Sequence, residues 1–175
     1  MLTLRPYKSQ DAEKIVAWLS DELTYYKWGG NLIGEYPLTA EKMNEVYIQK
    51  NGCCEEADNF YPWTAVDGDE IVGHFIMRYV GDRKNLRFGW VVVDASKRGK
   101  GYGKEMLKLG LKYAFEILKV EQVTIGVFDN NPGAEKCYRA IGFKDYDPVK
   151  RIVREIKGED WIVIELVNKN ENQTE

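Results

Sequence analysis

Little in this 175-residue chain is concentrated enough to assign a class by composition alone. It has no run of about 18 apolar residues, so no membrane-spanning helix is expected. The opening MLTLRPYKSQDAEK has no basic region followed by an apolar stretch, so no secretory leader is expected either. Cysteine occurs three times, at Cys53, Cys54 and Cys137, and an odd number with two adjacent makes a poor disulfide framework. Histidine occurs once, at His74, and no Cys-x-x-Cys spacing accompanies it, so no metal is expected. A reducing cytoplasm is the natural compartment for such cysteine usage. Nor is there a basic excess. The 25 Lys and Arg stand against 28 Asp and Glu, for a net charge of −3, so the whole-chain field does not favour nucleic acid. Internal repeats and linkers are also missing.

What is present suffices for one domain with a real core, since 44% of residues are hydrophobic and 13% aromatic. We place that domain at residues 1–168 and read the polar ending, 169–175, as a disordered tail. Leu2 to Arg5 alternates as a short strand. Ser9 or Asp11 is positioned to cap a helix carrying Ile15, Val16, Trp18 and Leu19. LTYYKWGGNLIGEYPLT reads as an irregular connection, and Thr39 as the cap of a helix through Met43, Val46 and Tyr47. NGCCEEADN reads as a solvated acidic loop. FYPWTAV and EIVGHFIMRYV flank an Asp-Gly turn, GDRKN makes the next turn, and LRFGWVVV is a third strand ending near Val93. Leu107, Leu111, Ala114, Phe115 and Leu118 form one apolar helical stripe. QVTIGVF, a helix from Gly133 to Ile141, and a hairpin of KRIVREI with DWIVIEL complete the chain. Strands and helices in this order predict an α/β (α+β) fold with one central sheet.

The chemistry is carried by KRGKGYGKEM, Lys97 to Met106, where glycines alternate with lysine and tyrosine just before the apolar stripe. A Walker-type phosphate loop needs four residues between its first glycine and Gly-Lys-Ser/Thr. Here three separate Gly99 from Gly103, and Glu105 replaces the magnesium-binding hydroxyl. A dinucleotide fingerprint fails because Lys104 stands where the third glycine belongs. Arg98-x-x-Gly101-x-Gly103 between a strand and a helix survives both tests. Glycines expose amide hydrogens, and the first turn of a helix carries unpaired N–H groups and partial positive charge, so a pyrophosphate would be held there. Lys97, Arg98, Lys100 and Lys104 add a basic patch on an acidic protein.

VVVDASKRGKGYG is similar to the coenzyme A motif of the GNAT superfamily of acyl-CoA N-acyltransferases: Arg98, Gly101 and Gly103 match, with Val93 at the expected distance. NNPGAEKCYRAIGF resembles that family's later signature through Asn131, Ala134, Tyr138, Gly142 and Phe143. The likeness is sharp between Leu86 and Phe143, and the N-terminal stretch resembles the branch holding ribosomal-protein N-terminal acetyltransferases and antibiotic-modifying relatives. The resemblance implies a mostly antiparallel mixed sheet flanked by helices and acetyl-CoA as cofactor. It implies cofactor contacts from Val91, Val92, Val93, Arg98, Gly99, Lys100, Gly101, Tyr102, Gly103, Lys104, Asn131 and Ala134. It further implies that the strand at Val91 to Val93 splays from its neighbour to pair with the pantetheine arm.

Acetyl transfer to an amine needs an unprotonated amine, stabilisation of the developing oxyanion, and a proton for the departing thiolate. Asn131, Ala134 and Tyr138, three and then four residues apart, share one helical face. Tyr138 is the candidate catalytic residue, presenting its hydroxyl to the sulfur. Cys137 reads as a small core residue. The general base stays open among His74, Glu22, Glu35, Glu70 and water, with a packing role preferred for His74. Trp18, Tyr25, Tyr26 and Trp28 lie in the segment that covers the acceptor in similar proteins, Trp18 reading rather as core. The expected partner is a small-molecule or peptide amine, with no nucleic acid and no membrane, and a homodimer as an option. The alternative is a non-catalytic acyl-CoA-binding regulatory module, which would have no use for an acid at Tyr138.

Overall fold

The structure, a computed structural model, describes residues 1–173. Its strands are β1 (Leu2–Pro6), β2 (Tyr61–Asp67), β3 (Glu70–Val80), β4 (Asp82–Val93), β5 (Gln122–Phe128), β6 (Lys144–Asp145), β7 (Ile152–Ile156) and β8 (Glu159–Lys169). Its helices are α1 (Asp11–Ala17), α2 (Glu22–Gly29), α3 (Ala40–Asn44), α4 (Tyr102–Lys112) and α5 (Pro132–Ala140). Both α3 and α4 loosen into π turns, at Glu45–Gln49 and Tyr113–Ile117. All eight strands share one sheet in the order β1-β2-β3-β4-β5-β8-β6, with β7 paired to the other end of β8. Every pairing is antiparallel except β4 with β5. The mixed, mostly antiparallel sheet expected from the resemblance is therefore present.

The two-residue period of the strands distributes side chains to two cores. Phe75, Met77, Phe88, Val123, Ile125 and Val127 join the cluster under α4 and α5, with Leu107, Leu111, Ala114 and Tyr138. Ile76 and Val92 point into the opposite cluster, built by Ile15, Tyr25, Met43 and their neighbours on α1 to α3. The central strand β3 is thus buried on both faces, which is why it reads as an almost continuous apolar run. Gly110 sets the distance of α4 from the sheet. A Cβ there would come within 2.8 Å of Phe75 Cζ.

Four local expectations are corrected. The segment read as irregular before Gly30 contains α2, started by the Asp21 carboxylate, which accepts the Thr24 N–H at 2.8 Å. Its aromatics are buried on several sides rather than along one stripe, so periodicity gave no signal. Neither Ser9 nor Asp11 caps α1, whose cap is Gln10 with no side-chain bond. Asp11 is buried instead, accepting both Arg5 guanidinium nitrogens (2.7 and 2.8 Å), the Lys8 N–H (2.9 Å) and the Thr64 hydroxyl (2.8 Å). The expected turn GDRKN narrows to Gly81, at φ 71°, because β4 begins at Asp82. Finally, the tail expected from residue 169 is structured through Gln173. The Asn170 N–H bonds the Glu121 carbonyl (2.9 Å) and its side chain the Val120 carbonyl (3.2 Å). Thr174 and Glu175 lie outside the described residues. Thr39 does cap α3, its hydroxyl accepting the Lys42 N–H at 3.1 Å.

Candidate active site

The parallel pairing of β4 with β5 is short. It joins Asn85 to Phe88 with Gln122 to Ile125 and stops. Both strands continue, β4 to Val93 and β5 to Phe128, so they part as a fork. The cause lies in β4. Its register with β3 passes from Gly89↔Ile76 to Val92↔His74, so Trp90 and Val91 together oppose the single residue Phe75. This is a β-bulge, which bends its strand and leaves one residue unpaired. Trp90 sits at φ 47°, a left-handed conformation that a bulky side chain adopts only under constraint. The constraint is visible: α2 supplies Trp28, whose indole N–H donates to the Trp90 carbonyl at 2.8 Å.

A cavity of about 630 Å³ occupies this fork. Every residue assigned above to the cofactor lines it except Lys100, which is exposed and stands outside. Gly99 and Gly101 adopt φ of 78° and 86°, a turn that side-chain-bearing residues resist. The turn brings the start of α4 into the cavity. Among the described residues, nothing accepts the N–H groups of Tyr102, Gly103 and Lys104, and the first satisfied amide is Glu105, bonded to the Gly101 carbonyl at 3.0 Å. The basic patch divides. Lys97 is ion-paired with Glu70, whereas Arg98 and Lys104 have no ion-pair partner among the described residues. Tyr102 turns its hydroxyl to Asp67, 2.7 Å away. A Cβ at Gly103 would sit 3.5 Å from both Cys137 Sγ and Val93 Cγ2, so the glycine loop, β4 and α5 converge there.

Half-buried Ala134 and buried Tyr138 of α5 line the same cavity, together with half-buried Asn131, which stands before the helix as its N-cap (φ −120°, ψ 65°) rather than on the helical face expected for it. The Tyr138 hydroxyl has no hydrogen-bond partner among the described residues, and burial pushes its pKa well above that of an ordinary phenol. Burial likewise raises the Cys137 thiol.

A second cavity, of about 520 Å³, meets the first across the fork, sharing Lys27, Trp28, Gly89, Trp90, Gly126 and Val127 with it. None of the four side chains considered as bases lines either cavity. His74 is fully buried, with Nδ1 2.9 Å from the Trp63 carbonyl and Nε2 2.7 Å from the Tyr47 hydroxyl. The carbonyl requires the proton on Nδ1, so Nε2 accepts from tyrosine, and burial depresses the imidazole pKa to about 4. The packing role preferred for His74 is the one it has. Glu22 and Glu70 are ion-paired with Lys157 and Lys97, and Glu35 is exposed.

Of the four aromatics expected around the acceptor, only Trp28 lines a cavity. Trp18, Tyr25 and Tyr26 are core, and the Tyr25 hydroxyl is engaged by the Gly34 carbonyl at 2.8 Å. Trp90, Lys27, Gly126 and Arg78 line the cavities without having been singled out in the sequence. For Arg78 a signal existed, since a guanidinium inside the apolar run EIVGHFIMRYV is anomalous. For Trp90 none did, because a positive φ leaves no trace in residue type. Among the described residues no cluster of three or more His, Cys, Asp or Glu could hold a metal, and no helix is long and apolar enough to cross a membrane.

Residues 1–144 match the family model described as an acetyltransferase (GNAT) domain. The chain is 29% identical over 119 residues to the SPbeta prophage-derived N-acetyltransferase YokL of Bacillus subtilis, covering 67% of this chain and 64% of that protein. It is 33% identical over 127 residues to the spermine/spermidine N(1)-acetyltransferase of the same organism, covering 63% and 82%. The fold matches a Vibrio cholerae spermidine N-acetyltransferase, solved with CoA and spermine, at a TM-score of 0.78 with 19% identity over 97% of this chain and 95% of that one. The chain belongs to the GNAT family of acetyltransferases.

Proposed function

We propose that the protein transfers the acetyl group of acetyl-CoA directly to a primary amine of a small molecule, at the fork between β4 and β5. The observation that carries this reading is the fork itself, where two parallel strands part beside one cavity that gathers the glycine loop, an open strand edge and Tyr138. The residues present fit acetyl-CoA. The unpaired amides of Tyr102, Gly103 and Lys104, with the Arg98 and Lys104 cations, form a seat for a pyrophosphate. Val91 to Val93 offer backbone groups to an amide-bearing arm, as an exposed strand edge does. Asn131 and Ala134 line the α5 wall, and the small alanine permits close approach. When bound, acetyl-CoA supplies an activated thioester.

The chain's own groups supply the rest. The bulge sets Trp90 and Val91 against one residue of β3 beside the fork, and a bulge's extra residue offers a backbone N–H free of the ladder, suited to an acyl oxygen gaining charge. Tyr138, its pKa raised by burial, is protonated at any working pH and serves as a donor to a thiolate whose conjugate acid is near about 8.5. Cys137, also raised, remains a thiol, which favours direct transfer over an acyl-enzyme. With no imidazole or carboxylate among the described residues lining the fork cavity, the proton of the amine leaves through water in this reading. Relatives named as spermine/spermidine acetyltransferases support a small-molecule acceptor. Residues 1–168 act as one transferase domain in this reading, in the cytoplasm and without a metal.

The test is thiol release from acetyl-CoA against a panel of polyamines, amino acids, peptides and aminoglycosides. Amine-dependent release is expected. Tight acetyl-CoA binding with no amine accelerating release would favour the non-catalytic binding module instead.

A further inference from the structure

The second cavity carries information about the acceptor that neither the family nor the relatives supply. Its floor is the sheet face on which Arg78 of β3 and Arg87 of β4 are direct cross-strand partners. Arg87 is neutralised by Glu165 of β8 through two parallel bonds of 2.7 and 2.8 Å. Gly126 makes room for that fork, because a Cβ at 126 would lie 2.7 Å from Arg87 Nη2. At the rim, Glu56 is held by Arg83 at 2.5 Å. With those pairs closed, the cavity retains three cations without an ion-pair or hydrogen-bond partner among the described residues: Lys27, Arg78 and Arg154. Only exposed Glu55 stands against them as an unpaired carboxylate.

Arg78 is the most telling of the three. It is half-buried, and burial first, with the Arg87 charge second, lowers its pKa against smaller opposing effects of Cys54 and Glu165. A partly desolvated guanidinium with no ion-pair or hydrogen-bond partner among the described residues, beside an arginine that already holds the nearby carboxylate, carries an uncompensated desolvation cost and unused donors in the free protein. Such a group makes sense where an anion arrives from outside, since the planar fork of arginine matches carboxylate and phosphate oxygens. The position suits an acceptor. Arg78 pairs with Arg87, two residues along β4 from Gly89, where the two cavities join. Two strand residues span roughly 7 Å. Lys27 stands at the junction itself, lining both cavities.

Resting on the proposed acetyl transfer, we infer that the acceptor is an amine that also bears an anionic oxygen group, a carboxylate or a phosphate, held by Arg78 with Lys27 while the amine enters the fork. A polycation such as spermine, the substrate named for the relatives, would meet an excess of unpaired positive charge here.

The test compares aminoalkyl carboxylates and aminoalkyl phosphates of increasing length with neutral alkylamines of matching length and with spermidine. Calorimetric binding and thiol release would be measured on wild type, Arg78→Gln and Lys27→Gln. At least one anionic series should bind and react at least about tenfold better than its neutral counterpart, the loss expected for one charge-assisted contact. The carboxylate and phosphate arms identify which anion it is. Arg78→Gln should erase that preference without a loss of stability in urea denaturation. If the neutral amine or spermidine is preferred by wild type, or if the anionic preference survives Arg78→Gln, the inference is wrong while acetyl transfer stands. If no anionic amine binds by calorimetry, the inference is wrong whatever the transfer rate. If acetyl-CoA binds but no amine reacts, acetyl transfer itself fails.

Discussion

Replacing His74 by glutamine should remove a pH-dependent share of the protein's stability while leaving acetyl transfer in place. In the folded protein the imidazole is fully buried between the Tyr47 hydroxyl and the Trp63 carbonyl, and its pKa falls to about 4. In the unfolded chain an ordinary histidine titrates near about 6.5. Between these values the unfolded state binds the extra proton, so stability is fully present above the unfolded pKa and is lost as pH falls toward the folded one. The integrated difference is about 3 kcal/mol, of which roughly 2 kcal/mol should disappear between about pH 7.5 and about pH 5. Carboxylates titrate over the lower part of this range as well, so the informative quantity is the wild-type minus His74→Gln difference. Urea denaturation at several pH values measures it. Glutamine keeps a donor and an acceptor but cannot titrate, so the two stability curves should converge as pH falls. Parallel curves would refute the assignment of a buried neutral imidazole. A loss of turnover beyond tenfold in a folded His74→Gln protein near pH 8 would return His74 to the list of bases.

Two further outcomes follow from the same geometry. Gly103→Val should weaken acetyl-CoA binding at least about tenfold in a folded protein, because its Cβ would already touch Cys137 and Val93 and its methyls would crowd the loop amides. Calorimetric titration reads this directly, and unchanged affinity removes the loop from the cofactor site. Asp11→Asn should cost about 2–3 kcal/mol in urea denaturation, since it leaves Arg5 beside an uncharged partner inside a network of four bonds. A cost under about 0.5 kcal/mol would mean the network contributes little.

Much of the lining of the fork cavity was legible in the sequence because it depends on local pattern. Arg98, Gly101 and Gly103 precede an apolar stripe, and Ala134 and Tyr138 share one face of α5 with Asn131 at its N-cap, so residue type and spacing bring them to one cavity. Lys100 belonged to the same pattern yet stands outside the cavity, since the turn at Gly99 and Gly101 sends it to solvent. The fork was implied by resemblance alone. Its physical origin, the bulge opposite Phe75 and the left-handed Trp90, depends on register between distant strands, which residue order does not encode locally. The acceptor side was misread for a related reason. Tyr25 and Tyr26 look like a binding surface in a line of sequence, but α2 folds them into the core. Arg78 looks like one charge within a strand, and only the sheet shows that its neighbour Arg87 already has a carboxylate and Arg78 does not.

The most direct test of the account is the turnover of Tyr138→Phe. The substitution removes one oxygen and keeps the buried ring and its packing against Phe143, so acetyl-CoA affinity should change by well under tenfold. Tyr138 lines the fork cavity with no hydrogen-bond partner for its hydroxyl among the described residues, and we assign that hydroxyl to the departing sulfur, so kcat should fall by roughly 10²–10³, with KM little changed. The loss belongs in kcat because the contact matters most once charge has built on sulfur. With chemistry rate-limiting, wild-type turnover in Tyr138→Phe would contradict the account and leave Tyr138 a packing residue beside the cavity.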